Sequence, residues 1–369
     1  MLRIFFMFVI LIHGFIHLMG FVKAFGFAEM NQLTQPVSKV SGGLWLLASV
    51  LFLITLALFS FKNGNWWMLG ATAILLSQIL IIQNWHDAKF GTVANMIILI
   101  PVIVAIMNVL PSSFPNLYRT EVQKRLRSFP EISVVSEKDI KSLPDPVQKY
   151  LRYAGAVGKP KIHNFRAASS GGMKRTAKGN WMGIHSEQYN FIDEPARFFF
   201  IRSSLFGIPF DGLHAYAGKS ATMKIKVASL LQVVDAKGEK MNQSENVTLF
   251  NDMCLMAPAS LIDKNIQWQT IDTLTVKAGF THNQITVFAT LMFNEKGELV
   301  NFVSDDRYLS GDGKTYTNYQ WSTPVKGYRD FDGRKVPVYG EAVWHMPEGD
   351  FNYAKFILEE IEYNSTEFK

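Results

Sequence analysis

Two histidines one helical turn apart are the first residues in this chain whose spacing suggests chemistry. His13 and His17, in HGFIH, share a helix face with Gly20 and Ala24 inside an apolar run. Paired imidazoles ligate haem iron or a divalent metal, and a quinone is a further guest for such a site. Histidines four apart on one helix cannot be the opposite axial ligands of one haem. Neutral histidines that hydrogen-bond between helices are the plainer reading. Gln78, His86 and Asp87, with Ser77 and Asn84, fall toward the same half of the bilayer. His13, His17, Gln78, His86 and Asp87 thus define an expected intramembrane polar pocket. No cofactor is expected there, with haem or metal at His13/His17 as the alternative.

A second constellation is Ser304-Asp305-Asp306-Arg307-Tyr308. Read as a strand, alternation points Asp305 and Arg307 to one face, to bind a polar headgroup or act as an acid/base pair. A cross-strand salt bridge on a solvated face competes with that reading. Glu187, Tyr216, Glu341 and Trp344 recur on separate expected strands, near Asp211, His214 and His345. Together with Asp305 and Arg307, the first four complete a candidate ligand-binding set. No nucleophile elbow, HExxH, phosphate-cradling glycine loop or dinucleotide fingerprint is present. Cys254 is the only cysteine, which excludes an intrachain disulfide, a thiolate zinc site and a CxxC redox pair.

The elements that must position these residues divide the chain sharply. Residues 1–111 hold five basic side chains (Arg3, Lys23, Lys39, Lys62, Lys89) and two acids (Glu29, Asp87), and the remainder carries 32 basic and 29 acidic ones. The net charge of +6 therefore carries no nucleic-acid signal, because no Lys/Arg stripe with interleaved aromatics accompanies it. Four apolar segments, about Ile4–Phe25, Leu44–Phe61, Trp66–Ile82 and Thr92–Leu110, approach the ~20 residues needed to span a bilayer. The first lacks a clean cleavage site and reads as a retained helix rather than a signal peptide. Four spans put both flanks on one side. Arg3, Lys62, Arg119, Lys124, Arg125 and Arg127 lie there, against Lys23, Lys39 and Lys89 opposite. That bias predicts a multi-pass protein of the cell (inner) membrane with a cytoplasmic C-terminal domain.

Residues 112–160 read as a basic amphipathic linker and a docking helix. Leu117, Val122 and Leu126 among Arg119, Lys124, Arg125 and Arg127 predict a short helix against anionic headgroups. Asp145 and Pro146 open a second helix whose Val147, Tyr150, Leu151 and Ala154 share one face, with Gly155 as its C-terminal cap. Nine residues do not make a stable isolated helix, so Tyr150 and Leu151 are expected to dock on the β domain. Residues 161–369 alternate strands and turns about every ten residues. Ile285, Val287, Ala289, Leu291 and Phe293 share one strand face. This predicts an antiparallel β domain curved into an open or half barrel. A helix near Ser244–Met256 running into Asn251–Asp263 is apolar enough to lie across its concave face.

The stretches LPDPVQKYLRYAGAVGKP, IPFDGLHAY, NDMCLMAPASLI followed by IQWQTID, and LMFNEKGELVNFVSDDRY resemble an uncharacterised family of bacterial proteins, a domain of unknown function. LIHGFIHLMGFVKAF with GLWLLASVLFL is similar to the membrane part of some members. The resemblance covers nearly the whole chain and brings no catalytic residues. By analogy of fold it implies a curved sheet like the half barrel of bacterial lipoprotein carriers. The expected fold is thus four transmembrane helices followed by a curved antiparallel half-barrel domain with a few helices. The expected function is a membrane-anchored protein binding an apolar or amphiphilic, lipid-like ligand in its β domain. The alternatives are a membrane enzyme using Asp305/Arg307 or His13/His17, and a scaffold or sensor that recruits a partner.

Overall fold

A computed structural model describes residues 2–128, 133–205 and 208–369. The linker expected over 112–160 includes residues 129–132, which lie outside the described residues. The chain divides into two compact units, Met1–Ser113 and Phe114–Lys369.

In the first unit, long apolar runs give helices α1 (Leu2–Phe25), α2 (Lys39–Ser60), α3 (Trp66–Gln83), the short α4 (Trp85–Ala88) and α5 (Gly91–Val109), the last with Pro101 inside it. Among the described residues, four helices are long and apolar enough to cross a membrane. Small residues let α1 and α2 approach. A Cβ added at Gly20 would lie 2.3 Å from the Trp45 ring, and one at Gly42 2.3 Å from the Ala24 Cβ.

The second unit opens with α6 (Phe114–Gln123), α7 (Glu137–Ile140) and α8 (Asp145–Tyr153). Strands β1 (Asn164–Met173), β2 (Met182–Phe191), β3 (Ala196–Leu205), β4 (Ile208–Ala217), β5 (Ser220–Val227) and β6 (Leu231–Lys237) follow as an up-and-down meander. Helix α9 (Glu239–Met256) and a 3-10 turn (Pro258–Ile262) interrupt it. The chain resumes with β7 (Ile266–Thr270), β8 (Thr275–His282), β9 (Ile285–Phe293) and β10 (Leu299–Ser304). After the two-residue β11 (Tyr308–Leu309) and β12 (Thr317–Asn318) come β13 (Gln320–Ser322), β14 (Val325–Phe331), β15 (Arg334–Met346) and β16 (Gly349–Tyr363).

Among the described residues the main sheet has 14 strands in the order β6-β5-β4-β3-β2-β1-β16-β15-β13-β10-β9-β8-β7, with β14 beside β15, and its paired strands run antiparallel. It is not closed: β6 and β7 are its edges. Helix α9 nevertheless touches both β5 and β9. Nine strand steps separate those two in the sheet, about 43 Å if it were flat. The sheet must therefore curl around α9. At the rims of the curl Tyr216 meets His282 edge-on at 5.4 Å, and the Asn283 side-chain amide donates to the Gly218 carbonyl.

Three expectations need correcting. The strand expected across Asp305–Tyr308 ends at Ser304, so alternation does not govern Asp305 and Arg307. The helix expected to start near Ser244 begins at Glu239, where Gly238, at φ 99°, turns β6 into α9. The buried face of α6 is Phe114, Tyr118 and Val122, packed on Tyr189, Phe191, Phe198 and Leu213 of the sheet's outer face, while Leu117 is exposed. Two aromatics at i and i+4 bury more area than Leu117, so the sheet takes that face. Tyr150 and Leu151 are fully buried, and the Tyr150 hydroxyl donates to the Cys254 carbonyl at 2.7 Å.

Candidate functional site

The inner face of the β domain has two halves. Antiparallel pairing puts the β1–β2, β3–β4, β5–β6 and β15–β16 turns at one end of the sheet, called here the hairpin end. Helix α9 crosses the half away from that end, over the last residues of β2 and the first of β3.

Residues 244–254 of α9 are buried without a break, although Glu245, Asn246, Asn251 and Asp252 are among them. Apolar enclosure of such a helix would be costly, and a buried network supplies the partners. Arg197 of β3 donates Nη1 to Glu245 Oε2 at 3.1 Å and Nε to Asp252 Oδ2 at 2.7 Å. Asp252 Oδ2 also accepts from the Gln188 and Asn190 amides, each at 3.0 Å. Glu245 Oε1 lies 3.0 Å from His214 Nδ1. Burial alone would raise the Glu245 carboxyl, but the Arg197 guanidinium and then His214 overcome it and hold the group down at about 2. The signal for this network was the run of polar residues 242–246 inside a helix destined for the core. Sequence spacing gave no hint of Arg197 as their common partner.

The half toward the hairpin end is not crossed by α9, and its apolar side chains pack on one another, with Ile184, Phe199 and Ile201 buried. Its floor is apolar: Met173 on β1, Ile184 on β2, Phe199 and Ile201 on β3, and Phe356 on β16. Its wall is polar. His214 meets Phe199 edge-on at 5.6 Å, and Phe199 meets Phe356 at 6.2 Å. Across the trough, the Arg307 guanidinium lies over Trp321 at 4.2 Å and Trp344 at 5.2 Å and donates to the Tyr353 hydroxyl at 2.9 Å. Arg307 Nε is buried with no partner among the described residues. Arg307 also lies within electrostatic reach of Glu245.

Of the sequence candidates, Arg307 and Trp344 are thus brought together. Tyr216 is on the inner face but fully buried in the core beside His282. Asp305 accepts from Gln320 Nε2 at 3.0 Å in an exposed contact. Glu187 lies on the outer face, taking Arg166 at 2.7 Å and the Tyr118 hydroxyl at 3.2 Å beneath α6. Glu341 accepts from Tyr339 and Asn352, each at 2.6 Å. A hydrogen-bonded chain of Ser322 Oγ, His345 and Asp350 joins β13, β15 and β16, with Ser322 Oγ to Nε2 at 2.8 Å and Nδ1 to Asp350 at 2.7 Å. That is the connectivity of a serine nucleophile with its base, but Ser322 is only 2% exposed.

In the helical unit, His13 Nε2 donates to Asn95 Oδ1 at 2.9 Å, which also accepts from Ser77 at 3.1 Å. Asn95 Nδ2 donates to Gln78, and Gln78 to Thr92, at 3.0 and 3.2 Å. His17 Nδ1 donates to the His13 carbonyl at 2.8 Å, leaving its Nε2 without a partner among the described residues. His86 is exposed. Asp87 instead ties down the α1–α2 loop, accepting from the Thr34 backbone N–H at 2.6 Å and the Thr34 hydroxyl at 2.8 Å. The sequence reading missed Asn95, which organises the cluster. Among the described residues no three of His, Cys, Asp and Glu come together in a metal-sized group.

No curated protein matches the chain. Among solved structures it is similar to a LolA superfamily protein from Nitrosomonas europaea, 9% identical over 59% of this chain and 93% of that one, with a TM-score of 0.34. It is also similar to a domain from Vibrio parahaemolyticus described as outer membrane lipoprotein-sorting, 7% identical over 59% and 91% of the two chains, with a TM-score of 0.33. Likenesses this distant carry no argument about the present chain. Sequence comparison matches residues 133–356, which include both halves of the inner face, and on that match the chain belongs to a family of unknown function (DUF6544).

Proposed function

We propose that this chain is a membrane-anchored binding protein whose β domain takes up an amphiphile. The observation that carries the reading is the apolar cluster that α9 does not cross; its side chains are packed on one another, so an entering chain parts side chains only and no strand. An apolar floor of Met173, Ile184, Phe199, Ile201 and Phe356 meets a wall holding Arg307 and His214. Such a surface fits an acyl chain with an anionic or strongly polar head, the chain on the floor and the head at the guanidinium. Arg307 is held over two tryptophan faces, so little side-chain freedom remains to be lost on binding. The helical unit anchors the domain in the cell membrane. The Lys/Arg bias supports a cytoplasmic side for it.

The test is photocrosslinking of the full chain in nanodiscs with a diazirine-bearing fatty acid. Adducts are expected at Phe199, Ile201 or Phe356, and Ile201→Asp should remove them. Adducts confined to α1–α5, or unaffected by Ile201→Asp, would sink the reading.

One observation favours a hydrolase: the Ser322–His345–Asp350 chain. The closed position of Ser322 decides against it, because an acyl group cannot reach a buried hydroxyl without rearrangement of β13.

A further inference from the structure

The hairpin end of the β domain differs from the opposite end. Three turns that are neighbours along the sheet each expose a large apolar side chain there. Trp181, at the β1–β2 turn, is 41% exposed; Ile208, at the start of β4, 48%; Leu231, at the start of β6, 68%. Leu230 and Val233, also exposed, extend the β5–β6 part. Single exposed apolar residues are ordinary, but a run along one edge marks a surface that meets something apolar.

Cations surround this edge. Lys174 and Lys355 hold their ammonium groups 4.7 and 4.4 Å from the Trp181 ring, and Arg175 and Lys178 are exposed in the same turn. Gly172 makes room for that stack, since a Cβ there would lie 3.1 Å from Trp181. The acidic groups nearby are Asp211, paired with Arg202, and Glu348 and Asp350 at the β15–β16 turn, which ends the basic run. The opposite end carries Asp193 and Glu194 in the β2–β3 turn, facing Arg127 and His163.

The chain also enters the β domain at the hairpin end. Phe114, the first residue of the unit, has its ring beneath the ammonium of Lys226, one residue before β5 ends.

We infer that this edge is a membrane-docking rim. Trp181, Ile208 and Leu231 enter the headgroup region of a bilayer, and Lys174, Arg175, Lys178 and Lys355 recognise anionic phospholipid headgroups. Tryptophan prefers the interface, and aliphatic tips gain by leaving water. Each cation near an anionic leaflet contributes about fivefold to the docked state. The apolar cluster of Met173, Ile184, Phe199, Ile201 and Phe356 lies toward the same end, so docking would bring it toward lipid. That last consequence alone rests on the amphiphile reading.

The test uses the full chain with Leu231→Cys, labelled with bimane, in nanodiscs that hold one copy each, so that a second copy cannot cover the rim. Cys254 is fully buried and stays unlabelled. Phosphatidylcholine bearing a headgroup-level nitroxide serves as quencher, with or without phosphatidylglycerol. Quenching is expected in the anionic discs. The pair Arg175→Gln and Lys178→Gln should lower the docked-to-free ratio by about 30-fold, and molar salt should weaken docking, because the screening length falls to about 3 Å. A label at Lys219→Cys, in the β4–β5 turn at the other end, should stay unquenched. An unquenched Leu231 label in anionic discs overturns the proposal. So does quenching that ignores the lipid charge and the double substitution, or that is equal at Lys219. No trough ligand enters the readout, so these outcomes are independent of the amphiphile reading.

Discussion

Replacing Arg197 by methionine should release α9 from the inner face while leaving most of the sheet intact. The guanidinium is the one cation bonded to both Glu245 and Asp252 among the described residues, at 3.1 and 2.7 Å, and all three side chains are almost fully buried. Removing one partner of a buried ion pair costs about 3–5 kcal/mol, because the remaining charge stays desolvated. A second route gives a similar figure. Glu245 falls from an ordinary 4.5 to about 2 against the pull of burial, and a shift of that size corresponds to about 3 kcal/mol. The assay is hydrogen exchange with mass spectrometry on the full chain in nanodiscs, following peptides of α9. At about 1.4 kcal/mol per tenfold, protection should drop about 100- to 4000-fold. The triple replacement Arg197→Met, Glu245→Gln and Asp252→Asn should recover most of it, since no uncompensated charge remains. A fall below tenfold in Arg197→Met, or a triple variant no better than the single one, would show that α9 is held by apolar packing instead. The sign with pH is fixed as well. The folded pKa lies below the unfolded one, so the Glu245 contribution is complete above about 4.5 and is lost as pH falls toward 2.

Gly20→Ala should force α1 away from Trp45 and cost about 1–3 kcal/mol, read as a lower unfolding temperature of the helical unit by circular dichroism in detergent; an unchanged transition would contradict the close approach. Tyr150→Phe leaves the buried Cys254 carbonyl without its hydroxyl donor. A loss of about 1–3 kcal/mol is expected, measured as faster exchange in α8 and the end of α9. A fluorophosphonate probe should leave Ser322 unlabelled in the native protein, and stoichiometric labelling lost in His345→Ala would revive the hydrolase reading.

Composition and periodicity were enough for the coarse plan. Four long apolar runs with so few charges can only be helices that meet lipid or one another, and strands punctuated every ten residues make an antiparallel meander. The docking of Tyr150 and Leu151 was also legible, because a nine-residue amphipathic helix has only its own apolar face to hold it. The site was not. Arg307 leaves the strand pattern one turn too early for alternation to aim it, and its partners Trp321, Trp344 and Tyr353 come from three other strands. Arg197 and Asp252 are 55 residues apart and meet only because the sheet curls around α9. Nor does His86 join His13: the helix ends at Gln83, and the next short helix leaves that imidazole exposed. Period and propensity are local properties of the backbone, so the sequence by itself set the elements and most of their faces, the face of α6 excepted. Which polar groups converge, and which half of the inner face α9 does not cross, depends on strand order and curvature, and those exist only once distant segments have paired.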